Sequence, residues 1–316
     1  MRRTFVPGLA LGAMLVAVGL LLAQTKPSVR RARPPKFEPD VSGIFSGDAR
    51  DLLKGERPKP GSSATSSGSV ANPVGSANES PQSGGGKGWS KIVSADVLEA
   101  EVKRLSAKVS QDVTTPSNYA GGGYKRGRRH FTTLAAVFGV IAEYDGNVRW
   151  KREAPGLRDQ FARAASNSKV GSQAAYNEAA QRKTELEEMI RGSSPNVPDA
   201  EPSVPWKKVV DRPPLMNRLE QSFLNQLKGW TSSAGEFKTH SADAAHEAQI
   251  IALLAEILTR DNMPDHDDEE YARMARDMKA AALEIADAAR NGGYDKASTA
   301  AGTISKSCSD CHDGYR

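Results

Sequence analysis

The sequence predicts an all-α fold: two antiparallel four-helix bundles in tandem, preceded by an N-terminal apolar segment and a disordered linker. Three observations point to it. From Trp89 onward no strand-like alternation occurs, and Pro and Gly clusters punctuate the chain at 116–123, 155–156, 192–205, 213–214 and 292–293. Eight helical stretches lie between those breaks, at 93–113, 127–145, 156–168, 172–191, 214–230, 239–261, 267–290 and 294–313. Three of the last four can be laid over their counterparts among the first four at a nearly constant shift. A hydrophobic fraction of 38% with 6% aromatics suits an Ala-rich helical protein, and 316 residues suit about two domains.

Taken in order, residues 1–25 read as a signal peptide or signal anchor. Met1-Arg2-Arg3 precedes an apolar run from Phe5 to Ala23, long enough at about 1.5 Å per residue to cross a bilayer core. Lys26, Arg30, Arg31, Arg33 and Lys36 follow, a strip suited to anionic lipid. Residues 26–88 are rich in Gly, Ser and Pro and read as a flexible linker, because such a segment buries too little to offset its ordering entropy. A short apolar island, from Val41 to Leu53, reads as a transient helix or docking peptide.

Residues 89–195 and 205–316 are the two bundles. Tyr176, Ala179 and Leu186 lie over Tyr294, Ala297 and Ile304 at a shift of 118, and His130, Leu134, Phe138 and Ile141 over His246, Ile250, Leu254 and Ile257 at 116. Leu157 and Phe161 lie over Met274 and Met278 at 117. The pattern implies tandem duplication.

The chain closes Cys308-Ser309-Asp310-Cys311-His312-Asp313-Gly314-Tyr315-Arg316. C-x-x-C-H is a signature of covalent c-type haem attachment, with the two thiols bonding the macrocycle and His312 as proximal iron ligand. A redox dithiol or half a zinc site would share the C-x-x-C spacing, but zinc needs about four ligands and these are the only cysteines. Ala297, Ala301, Ile304, Cys308, Cys311 and Tyr315 form an inward seam, so both thiols face the bundle interior. Opposite Cys308, Cys311 and His312 the first copy has Ile190, Ser193 and Ser194. One haem c per chain is expected, in the second copy.

This C-terminal motif, followed by Tyr315 and Arg316 on the fourth helix of a bundle, resembles the class II c-type cytochromes, the cytochrome c prime family. The resemblance covers about residues 210–316 and, weakly, the first copy. It implies that the first helix of the unit presents a residue to the opposite haem face: Met in electron-transfer members, Leu or Phe in gas-binding ones. Met216, Leu219, Phe223 and Leu227 share one face, which makes Met216 the candidate distal ligand and Phe223 its rival. Members of the family often carry an Arg four residues before the distal position; counted from Arg218, that position is Ser222, beside Phe223. The resemblance also places Arg316 near the haem. His240, His246 and His266 read as surface or helix-start residues, and His130 with Lys125, Arg126, Arg128 and Arg129 as a solvated face or an acidic-partner dock.

These readings imply a mono-haem cytochrome that passes single electrons to redox partner proteins outside the cytoplasmic membrane. It would be periplasmic, membrane-anchored or secreted, with membrane contact through its N-terminal segment. Two alternatives stand beside it: a haem sensor or scavenger of NO or CO with an open distal site, and a scaffold acting through the haem-free bundle. Nucleic acid is not expected as a partner, since a net charge of +5 is scattered. No catalytic constellation is found, so an enzyme is not expected. Oligomeric state is left open, a dimer included.

Overall fold

The computed structural model describes residues 88–315; the readings on residues 1–87 and on Arg316 lie outside them. Among the described residues every regular element is helical. Four helices make the first unit, α1 (Ala95–Asp112), α2 (Tyr124–Ala142), α3 (Ala154–Asn167) and α4 (Gln173–Arg191). Four make the second, α5 (Arg212–Ser222), α6 (Ser241–Leu258), α7 (Glu269–Asn291) and α8 (Tyr294–Gly314).

Local chemistry sets the ends. Ser94 caps α1 by accepting from the Val97 amide, and Ser172 caps α4 by accepting from Ala175. Asp268 caps α7 twice over, accepting from the amides of Glu270 and Tyr271, and Gly292 stops that helix at φ 73, a left-handed value that glycine adopts without a Cβ clash. Two expected breaks are in fact helical. Thr115 caps a turn opened by Pro116, and a π-helical stretch, Tyr119–Gly123, carries the chain into α2 with a kink at Gly122, φ 131. Pro213 and Pro214 fall in the first turn of α5, where the missing amide hydrogens cost nothing.

Core packing closes the first unit. α1 packs on α2, α2 on α3, α3 on α4, and α4 returns to α1. Phe138 and Phe161 stack at 5.5 Å between ring centroids, with Phe131 at 6.2 Å from Phe161. In the second unit α5 packs on α6, α6 on α7 and α7 on α8, but no comparable packing joins α5 to α8.

The repeat recurs at atomic detail. Tyr176 Oη donates to Thr114 O, and Tyr294 Oη to Ser232 O, each at 3.2 Å. Tyr176 meets Tyr119 edge-on, and Tyr294 meets Phe237 in a tilted contact; Thr115 and Ser233 each cap the following turn. All these pairs are 118 residues apart. Along α5 the buried Leu215 and Leu219 instead match Leu98 and Val102 at 117. The difference of one is the extra residue of the π-helical turn Phe223–Leu227, which directly follows α5.

The two bundles pack on each other through α2 against α5 and α1 against α6. Consequently α2 from His130 to Ile141 and α6 from His246 to Ala255 are buried on every side. The connection, 192–205, leads to a helical turn Trp206–Val209. Trp206 seats on Gly139, where a Cβ would come within 2.9 Å of the indole, and lies 5.8 Å from Trp89.

Candidate haem site

α8 carries the motif as expected. Ala297, Ala301 and Ile304 are buried, and Cys308, Cys311 and Tyr315 continue the same seam as half-buried side chains at the margin of the core. Met216 of α5 is likewise half-buried, packed against the core but not enclosed by it. Both cysteines are free thiols. His312, on the adjoining edge of the helix, is exposed and has no hydrogen-bond or ion-pair partner among the described residues.

α7 and α5 supply the rest of the surround. Tyr315 Oη donates to Asp268 at 2.7 Å and its ring meets that of Tyr271 edge-on at 5.2 Å, so the end of α8 is tied to the start of α7. Asp268 is thus both the cap of α7 and the anchor of the motif helix. Arg212, at the first turn of α5, forms an ion pair with Asp265 and places its guanidinium 5.9 Å from the Tyr271 ring centroid. Tyr271 Oη is buried with no hydrogen-bond partner of good geometry: Arg212 is close enough to act on it electrostatically without satisfying it.

The electrostatics keep the thiols neutral. Burial, with Cys311 nearby, pushes the Cys308 thiol up to about 11. Burial also raises Cys311, aided by Asp265 and opposed by Arg212. Dithiol redox catalysis needs a ready thiolate, so this environment does not favour it. Three features fit a haem. The thiols lie one turn apart on an inward seam, the imidazole beside them is uncommitted, and the Tyr271 hydroxyl nearby is buried without a hydrogen-bond partner of good geometry. Cys308 and Cys311 would hold the macrocycle, and His312 would ligate the iron.

Some expectations are corrected. His246 is buried at 5% exposure and its Nε2 lies 2.8 Å from Glu101 Oε2; it is not a surface residue. His130 is likewise buried, 2.9 Å from Asp112, so it leaves the basic face. Burial lowers the His130 pKa more than Asp112 restores it. Arg126 and Arg128 are paired with Asp112 and Asp211. Arg218 cannot be the arginine that precedes the distal position, because it is buried away from the thiols in an ion pair with Glu101. The arginine four residues before Met216 is Arg212, and Arg212 lies beside Cys311 and Tyr271. Phe223 is buried at 3% and opens the π-helical turn, and Leu219 is buried at 6%. His240 does precede a helix, stacked on Trp230 at 5.3 Å.

Two crevices lie elsewhere. One of about 620 Å³ runs between Trp206 and Arg260, and one of about 410 Å³ lies beneath the 193–198 segment against Phe161. Neither is lined by the motif residues, so the site is recognised from donor chemistry and not from a cavity.

Comparison with known families finds a match at one end of the chain. Residues 266–316 match the family model for Cytochrome C'. The matched segment spans α7, α8 and the motif. No curated protein and no solved structure matches the chain. The cytochrome c′ match supports a haem c protein with a helical bundle fold, in agreement with the seam, the free imidazole and the unclosed second unit.

Proposed function

We propose that the protein is a mono-haem c-type cytochrome that carries single electrons outside the cytoplasmic membrane, with Met216 opposite His312. The observation behind this reading is that Arg212, beside Cys311 and Tyr271, stands one helical turn before Met216, so the two share a face of α5. A haem bound there would supply a one-electron iron couple. Imidazole with thioether raises the potential and leaves no open coordination position, which suits transfer between redox partner proteins. Cys308 and Cys311 would hold the group by two bonds, and the exposed His312 would offer its imidazole to the iron. No acid–base pair in this surround calls for catalysis, and a carrier role is the reading.

Attachment outside the membrane follows from the chemistry of c-type haem, and residues 1–25 would supply export, as a cleaved signal or as an anchor. Among the described residues no helix is long and apolar enough to cross a membrane.

Optical spectra of the exported protein test the reading. A sharp low-spin α band in the ferrous state, lost in Met216→Ala, is expected. A high-spin wild-type spectrum with rapid CO binding would replace electron transfer by gas binding at a face lined by Leu219 or Phe223.

A further inference from the structure

Arg218 stands two residues after Met216 on α5 and is 1% exposed. Its Nη2 donates to Glu101 Oε1 at 2.9 Å and its Nη1 to Glu247 Oε2 at 2.8 Å. Ser222, one turn on, is hydrogen-bonded to Arg218 and donates to the same Glu247 oxygen at 2.8 Å. Glu101 is 0% exposed and belongs to α1, in the bundle that lacks the haem motif. Its other oxygen meets His246 of α6. Glu101, His246 and Glu247 could in isolation gather a metal ion, but the guanidinium already occupies their centre and balances the carboxylates. The cluster is a clamp between bundles.

Its position gives it a grip on the haem site. Side chains two apart on an α-helix point about 200° from each other, so Arg218 and Met216 face nearly opposite sides of α5. Holding Arg218 to Glu101 of the first bundle therefore turns Met216 away from that bundle. The π-helical turn starts at Phe223, directly after the clamped segment, so the ordinary helical ladder does not carry phase in from beyond it. Met216 has no such anchor of its own, being half-buried and apolar.

We propose that Glu101 of the haem-free bundle is a positioning residue for the haem of the other bundle, fixing through Arg218 the rotation of α5 and hence which side chain faces the iron. The inference rests on the haem assignment above. It makes the haem-free copy the part that holds the distal helix in phase.

The experiment uses the full chain with haem attached. Glu101→Gln keeps the size of the side chain and removes its charge. Expected are full covalent haem by mass, at least a tenfold fall in the ratio of low-spin to high-spin signal, and at least tenfold faster amide exchange in residues 212–222. Asp277→Asn removes the exposed Arg273–Asp277 pair on α7, which touches no clamp residue, and should leave all three at wild-type values. A Glu101→Gln protein with wild-type spectrum and exchange overturns the proposal, as does an Asp277→Asn protein with the same shifts. If Glu101→Gln does not fold, Glu101→Asp, which keeps the charge and withdraws it by one methylene, should shift the ratio the same way; no shift overturns the proposal equally. Should Met216→Ala leave the wild-type spectrum intact, the ligand assignment fails by itself. The clamp is then judged by exchange in 212–222 and by the CO association rate of Glu101→Gln, both of which must change.

Discussion

The two bundles share a plan, and the first closes where the second does not. In the first, α4 returns to α1 and a stack of Phe131, Phe138 and Phe161 fills the centre. In the second, Phe138 and Phe161 have Leu254 and Met278 as counterparts, alanines line α7, and α8 does not close onto α5. The copy with the haem motif carries Leu, Met and Ala where the copy with Ile190, Ser193 and Ser194 carries a phenylalanine stack. A large flat cofactor in the second copy would account for this difference by taking the place of side chains that the first copy supplies as aromatic rings.

The sharpest way to break this comparison is to make the second copy resemble the first. Replacing Cys308 and Cys311 together by Ala should abolish the covalent haem increment in the mass spectrum and loosen the second bundle alone, seen as faster amide exchange in α8 with α4 unchanged. Next in size is Arg218→Ala, which leaves Glu101 and Glu247 buried without their cation; a loss of about 3–5 kcal/mol is expected from denaturant unfolding. A smaller effect should appear with acid. Burial alone would raise the Glu101 carboxyl, but Arg218 and His246 outweigh it and hold it at about 2, below its ordinary 4.5. A depressed carboxylate stabilises fully above its unfolded pKa and loses that contribution as pH falls, here from about 4.5 toward 2. Unfolding midpoints between about pH 5 and pH 2 should fall more steeply for wild type than for Glu101→Gln. The smallest test compares like with like: Tyr176→Phe and Tyr294→Phe each remove one hydrogen bond, and each should cost about 0.5–1.5 kcal/mol. Clearly unequal losses would show that the two copies no longer use this contact alike.

Much of this organisation was legible because periodicity and breakers act locally. Seven of the eight helices fall within a few residues of their expected limits, the fifth passing at Phe223 into a π-helical turn, and the seam that is buried from Ala297 to Ile304 becomes half-buried from Cys308 to Tyr315. The thiols and His312 could be read from five consecutive residues. The contact between bundles was harder to see, since it depends on which faces of α2 and α6 remain after each bundle forms. One signal was present: Leu134–Ile141 and Ile250–Ala255 are apolar on all sides, more than one bundle interior requires. With that contact missed, His130 and His246 looked like surface residues, and Arg218 looked available to the haem. A buried ion pair between residues 117 apart has no local pattern to announce it.

Glu101 and Arg218 occupy equivalent places in the repeat, 117 residues apart, as Leu98 and Leu215 do. In a symmetric pair of identical bundles the same residue would recur on both sides of the two-fold axis, and a charge near it would meet its own sign. Two copies on one chain escape that constraint, so an acid and a base can stand where symmetry would put two of a kind. The 192–205 connection also keeps the copies at an effective concentration on the order of millimolar, so this unequal pairing is favoured at any dilution.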